Sequence, residues 1–111
     1  MPRDFKVYLE DILEAICKIH DFTHGMTLDT FSKDTKTLDA VVRNLEVVGE
    51  AVKGIPEQIR KRHPEAEWKK IAGLRDVLMH EYFGIDVEII WDIIQNKLPI
   101  LESETKKLLG Q

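Results

Sequence analysis

The sequence predicts an all-α fold, an up-down bundle of four long helices with one short extra helix between the second and the third. Three observations carry this. Apolar residues recur at helical spacing nearly throughout, with no sustained strand-like alternation. Glycine and proline fall at the ends of the periodic runs and build no linker. The links between runs are short, which makes successive helices antiparallel neighbours. At 111 residues the chain reads as a single domain, residues 1–111, with one hydrophobic core.

The first helix is expected from about Asp4 to about His24. Phe5, Leu9, Ile12, Leu13, Ile16 and Ile19 make one stripe, and Gly25 supplies a stop. A turn or short helix follows near Thr27 to Phe31. The second long helix starts at Asp34 or Thr35 and ends at Gly54, burying Leu38, Val41, Val42, Leu45, Val48 and Val52. Pro56 suits the first turn of the short helix PEQIRKRH, which Pro64 closes. The third long helix begins between Glu65 and Trp68 and runs to about Tyr82. Gly84 and Asp86 then read as a stop and an N-cap. The last helix carries Val87, Ile89, Ile90, Ile93 and Ile94, and bends or restarts at Pro99 before ending near Leu109.

Composition excludes several classes. Hydrophobic residues at 43% and charged residues at 32% are incompatible with a disordered chain. No apolar run approaches the roughly 20 residues that span a bilayer, so no membrane association is expected. The segment MPRDFKVYLED has no apolar secretory core. Cys17 is the one cysteine, which fits a reducing cytoplasm. The net charge of −4 argues against indiscriminate nucleic-acid binding. Residues 53–75, however, hold seven cations against three anions and form a basic zone leading into Arg75.

The chemistry concentrates in RDVLMHEYF, residues 75–83. At about 100° per residue, Arg75, Met79 and Tyr82 share one helical stripe, and Asp76 and His80 share the next. Ile71, Leu74, Val77 and Leu78 face the core. Arg75 and His80 are about 140° apart on an ideal helix and do not touch directly; the long guanidinium arm can lean toward the histidine edge, or a neighbouring chain could complete the site. An imidazole titrates near neutrality, and a guanidinium matches phosphate with fixed charge. Together they suffice to cleave RNA without metal: the histidine moves a proton at the 2′-hydroxyl or 5′-oxygen, and the arginine stabilises charge on the phosphoryl oxygens. Asp76, one turn before His80, would orient the imidazole. The plainer reading is a solvated helix edge with an ordinary Asp76–His80 pair and Tyr82 at the rim of the core.

The segment WKKIAGLRDVLMHEYFGID, residues 68–86, resembles the signature region of the HEPN superfamily. Arg75, His80 and Tyr82 are similar to the Arg-x4-His-x-Tyr pattern of the HepT toxins within it. RNLEVVGEA, residues 43–51, resembles that family's second-helix segment, and with the helix around Trp91 and LPIL near Pro99 the similarity spans almost the whole chain. The resemblance implies a HEPN-like bundle and a metal-independent endoribonuclease that uses no cofactor. It implies Arg75 and His80 as the catalytic pair, in a cleft at a symmetric homodimer interface, with RNA as substrate. It also implies a toxin–antitoxin pair. A minimal nucleotidyltransferase antitoxin would transfer AMP onto Tyr82, placing a phosphate and a bulky nucleoside about a turn from the catalytic pair.

Two further clusters stand out. Arg43, Glu46 and Glu50 share a face of the second long helix and are expected to support the motif helix or the dimer contact; direct catalysis or metal binding is the lesser reading. Gly49, within the same helix, signals close helix–helix packing. Cys17, His20 and His24 have a spacing that could present three ligands, but no Cys-x-x-Cys or carboxylate signature accompanies them, so no metal site is assigned. His63, beside Pro64, reads as a loop residue. The alternative function is a non-enzymatic helical module that binds nucleotide or partner beside a nucleotidyltransferase. A purely structural adaptor is the third reading.

Overall fold

The computed structural model describes residues 4–80 and 86–110, with Val77, Met79 and His80 described by their backbone. Every regular element among the described residues is helical: α1 Phe5–Thr23, α2 Leu28–Lys33, α3 Thr35–Lys53, α4 Glu57–Lys61, a 3-10 turn Pro64–Ala66, α5 Trp68–His80, α6 Val87–Asp92, and α7 Leu98–Leu109. The expected all-α bundle is the fold observed.

Local chemistry sets the helix starts. Asp4 caps α1 by accepting from the Lys6 N–H, Asp34 caps α3 through Thr37, and Asp86 caps α6 through Glu88. Thr27 and Thr30 satisfy each other's backbone N–H groups in a reciprocal capping box, so α2 is a defined helix where a turn was also possible. Pro64 opens a 3-10 turn as well as closing the basic segment, and α5 starts only at Trp68. Between them Glu67 adopts a left-handed backbone, φ 52°.

The last helix restarts at Pro99, as expected: α7 begins at Leu98 with the proline in its first turn. A widened turn, Ile93–Lys97, joins α6 to α7, and the Leu98 N–H reaches back five residues to the Ile93 carbonyl. Proline has no N–H, and its ring collides with the carbonyl four residues back in α geometry. The wider turn before it lets the chain stay helical through the proline.

The layers centre on α3, which packs against α1 on one side and α5 on the other, while α7 covers α1. The core is built from Leu9, Ile12, Ile16 and Ile19 of α1, Val41, Leu45, Val48 and Val52 of α3, and Leu98 and Leu101 of α7, all buried. Phe31 of α2 is fully buried and meets the Trp91 ring at 5.1 Å between centroids. Of the predicted stripes, Phe5, Leu13, Leu38, Leu74 and Val87 are only half-buried, and Ile89 is exposed, because α6 turns that side chain away from the core. No helix among the described residues is long and apolar enough to cross a membrane.

His63 lies between α4 and the 3-10 turn, the loop position expected of it, but its side chain is turned inward. Its Nδ1 lies 2.6 Å from Oε2 of Glu104, a carboxylate only 7% exposed on α7. Its carbonyl accepts the Trp68 indole N–H at 2.7 Å. The hydrogen bond from His63 is the first cause that holds the Glu104 carboxyl below its usual range. This buried polar junction ties the basic segment and the start of α5 to α7.

Candidate functional site

A groove of about 450 Å³ opens where α1, α3 and α5 converge, lined by Tyr8, Asp11, Arg43, Glu46, Val47, Glu50, Ala51 and Arg75. Arg75 enters it from α5, and the predicted supporting residues Arg43, Glu46 and Glu50 enter it from α3. Two glycines make the convergence possible. A Cβ on Gly49 would lie 3.0 Å from Arg75 Cβ, 3.1 Å from Arg75 N and 3.1 Å from the Ile71 carbonyl oxygen. The α3 backbone therefore seats directly against the α5 turn that carries Arg75, which is the close packing Gly49 predicted. A Cβ on Gly54 would fall 2.5 Å from the Tyr8 ring. The bare end of α3 thus leaves the space in which Tyr8 reaches the groove.

The charged groups form a ladder across the α3–α5 seam. Glu50 Oε2 is 3.0 Å from Arg75 Nε, Arg75 Nη1 is 3.3 Å from Asp76 Oδ1, and Lys53 Nζ is 3.7 Å from that same Asp76 oxygen. Arg75 keeps 34% of its side chain exposed. Ion pairs this open contribute only about 0–1 kcal/mol each, so the ladder holds Arg75 in place more than it holds the fold together. A guanidinium carries five N–H donors, enough to bind both carboxylates and still present donors to an anion entering from solvent. Opposed charges on adjacent helices also keep the groove's local balance near neutral.

The structure brings Arg75, Asp76, Glu50, Arg43 and Glu46 together at one seam. Asp76 meets Lys53 and Arg75; its expected pairing with His80 falls on a side chain outside the described residues. The His80 backbone ends α5, five residues after Arg75; the His80 side chain and all of Tyr82 lie outside the described residues. Tyr8 and Asp11 belong to the groove, and sequence reasoning did not find them. Their three-residue spacing beside the α1 apolar stripe was the available signal, but it is shared by many helix-edge pairs. Cys17, His20 and His24 are exposed. Among the described residues no group of three or more His, Cys, Asp or Glu side chains is placed to hold a metal ion.

Comparison with known proteins adds the family context. Residues 12–108 match the family described as Ribonuclease HepT-like. A Methanocaldococcus jannaschii protein carrying the name "Putative RNase" is 55% identical over 100 residues, covering 89% of this chain and 83% of that one. The protein of Thermococcus cleftensis named "Probable ribonuclease HepT" is 44% identical over 97% of this chain and 98% of its own. A Caldanaerobacter subterraneus protein named in the same way as the first is 43% identical, covering 92% of this chain and 91% of that one. No solved structure matches the chain.

Proposed function

Because this chain belongs to the HepT-like ribonuclease family, its substrate class is RNA, and we propose that it is a metal-independent endoribonuclease with Arg75 and His80 as its catalytic pair. The observation that carries this is the seating of Arg75: an exposed guanidinium fixed by Glu50 at the edge of a groove, on the helix whose last residue is His80.

In the proposed reaction, a neutral His80 takes the proton of the ribose 2′-hydroxyl, and the 2′-oxygen forms a bond to phosphorus. The bond from phosphorus to the 5′-oxygen breaks, leaving a 2′,3′-cyclic phosphate. The 5′-oxygen takes a proton from the imidazolium of a second subunit's His80. Arg75 stabilises the charge that builds on the phosphoryl oxygens. Two subunits related by a twofold axis would supply both histidines, which answers the wide angle between Arg75 and His80 on one helix.

The same reading makes the protein the toxin of a toxin–antitoxin pair in the cytoplasm. Its partner would be a nucleotidyltransferase antitoxin that moves AMP from ATP to the Tyr82 hydroxyl with release of pyrophosphate. The added phosphate would engage Arg75, and the nucleoside would block RNA.

Purified protein should cut RNA in the presence of a chelator and leave 2′,3′-cyclic phosphate ends. Arg75→Ala and His80→Ala should each lower the rate by about 10²-fold or more. Variants as active, and as toxic on expression, as the parent would refute the assignment.

A further inference from the structure

A second concave surface lies at the start of α5, away from the groove at Arg75. It is an open depression of about 850 Å³ lined by Glu57, Arg60, Lys61, Pro64, Glu67, Trp68, Lys69 and Lys70. Resting on the ribonuclease reading above, we infer that this depression binds the phosphodiester backbone of the RNA strand and leads it along α5 to Arg75 and His80.

Charge is the first support. The chain has a net charge of −4, so a polyanion is repelled by most of its surface. Here four cations meet two carboxylates, and both carboxylates are already engaged. Glu57 pairs with Lys61 at 3.6 Å, and Glu67 lies 3.1 Å from Lys70 and 3.0 Å from Lys97. The Arg60 Nε is buried with no hydrogen-bond partner in the structure. A buried donor left without a partner is costly, and turning the Arg60 side chain into the depression to meet an anion would relieve it.

The second support is the shape of Glu67. It occupies a left-handed backbone position, φ 52°, that glycine or asparagine fills more readily. A glycine there would lose the carboxylate that gathers Lys70 and Lys97 at one rim. The strained residue organises cations, which is what a phosphate track needs.

The third support is the path to the catalytic residues. Lys69, Gly73, Asp76 and the backbone of His80 fall within about 60° of one another around α5. Gly73 is exposed, and a Cβ there would meet no atom within 4 Å. Packing inside the subunit therefore does not explain a glycine in mid-helix. On this stripe it leaves a bare strip of helix over which a sugar-phosphate chain can lie closely. Asp76, the one carboxylate on the stripe, is offset by Lys53 and Arg75. The stripe leads from Lys69 to the His80 backbone, a rise of roughly 16 Å; Arg75 leaves α5 about 120° around from Lys69 and meets the stripe through Asp76.

The test compares the parent protein with the double variant Lys69→Ala/Lys70→Ala and with Arg60→Ala, using a long single-stranded RNA and a dinucleoside phosphate. The lysines are exposed, so thermal melts should match the parent, and Lys18→Ala/Lys33→Ala serves as a distant charge control. For the long RNA, KM should rise about tenfold in the double variant with kcat unchanged. The dependence of binding on salt should become shallower, by about 0.7 in the log–log slope for each phosphate no longer neutralised. The dinucleoside phosphate should be cut as before. An unchanged KM and salt slope, or an equal effect from the control, would overturn the inference. If the parent cuts no RNA, the catalytic assignment fails separately. Fluorescence anisotropy with the same RNA then decides: weaker binding by the double variant upholds the depression, and equal binding removes it.

Discussion

Gly49 and Arg75 are packed backbone to backbone: a Cβ on the glycine would lie 3.0 Å from Arg75 Cβ and 3.1 Å from its amide nitrogen. The contacted atoms belong to a helix backbone and cannot swing aside as a side-chain tip would. Gly49→Ala should therefore push α3 and α5 apart by a few tenths of an ångström. Overpacking of this kind costs about 1–3 kcal/mol, offset by up to about 1 kcal/mol of better helix propensity. A net destabilisation of about 1 kcal/mol in denaturant unfolding is expected, with a lower cleavage rate because Arg75 moves. Gly49→Leu should be far worse. A Gly49→Ala protein more stable than the parent would show the seam to be slack.

Glu50 holds Arg75 at 3.0 Å, and under the proposed function its effect on cleavage passes through that arginine. Removing it in Glu50→Ala leaves the guanidinium charged but free to swing, so kcat should fall about tenfold while KM changes little. Glu50→Gln keeps an oxygen that can accept from Arg75 Nε and should recover most of the rate. Equal decreases in the two variants would instead point to a role for the carboxylate charge itself.

The buried Glu104 predicts an acid-sensitive limb of stability. The hydrogen bond from His63 leads the causes that hold its carboxyl below the usual range, with Lys107 contributing. The folded state thus binds this proton less tightly than the unfolded chain does. The stabilisation is complete above the ordinary glutamate value of about 4.3 and is lost as pH falls through the lower, folded value. The melting temperature should drop between about pH 5 and pH 3 in the parent. Glu104→Gln should start lower at neutral pH and show a smaller drop. Asp34 and Glu67 are also lowered, by Thr37 and Lys97 respectively. They are more open to water, so high salt should weaken the Glu67 contribution and spare that of Glu104.

Gly73 separates stability from function. Nothing lies within 4 Å of a Cβ added there, so Gly73→Ala should stabilise α5 by about 0.5–1 kcal/mol. If the bare strip carries the RNA strand, the same change should raise KM for long RNA several-fold. A variant that is more stable and binds RNA as before would show that the strip is not part of the path.

The helices were legible because their signals are local. Asp4, Asp34 and Asp86 cap the helices they precede, and the 3.6-residue stripes of α1 and α3 became the core with only Phe5, Leu13 and Leu38 left at its rim. Pro99 was less legible. Proline forbids a regular α turn, but whether the chain bends or restarts depends on what the flanking turns pack against, and here it restarts after a widened turn. Gly49 was legible as a packing glycine, while the cross-helix contact of Asp76 was not. Spacing along one helix carries no signal for Lys53, which meets Asp76 from another helix.

By itself, then, the order of residues determined which segments are helical, which faces they bury, and that an arginine, a histidine and a tyrosine share one stretch; each depends on neighbours within a turn or two. Packing alone decided that Glu50 grips Arg75, that Tyr8 and Asp11 reach the same groove, and that His63 meets Glu104, 41 positions away. Those contacts join side chains whose separation along the chain carries no periodic signal. They exist only once α1, α5 and α7 have taken their places around α3.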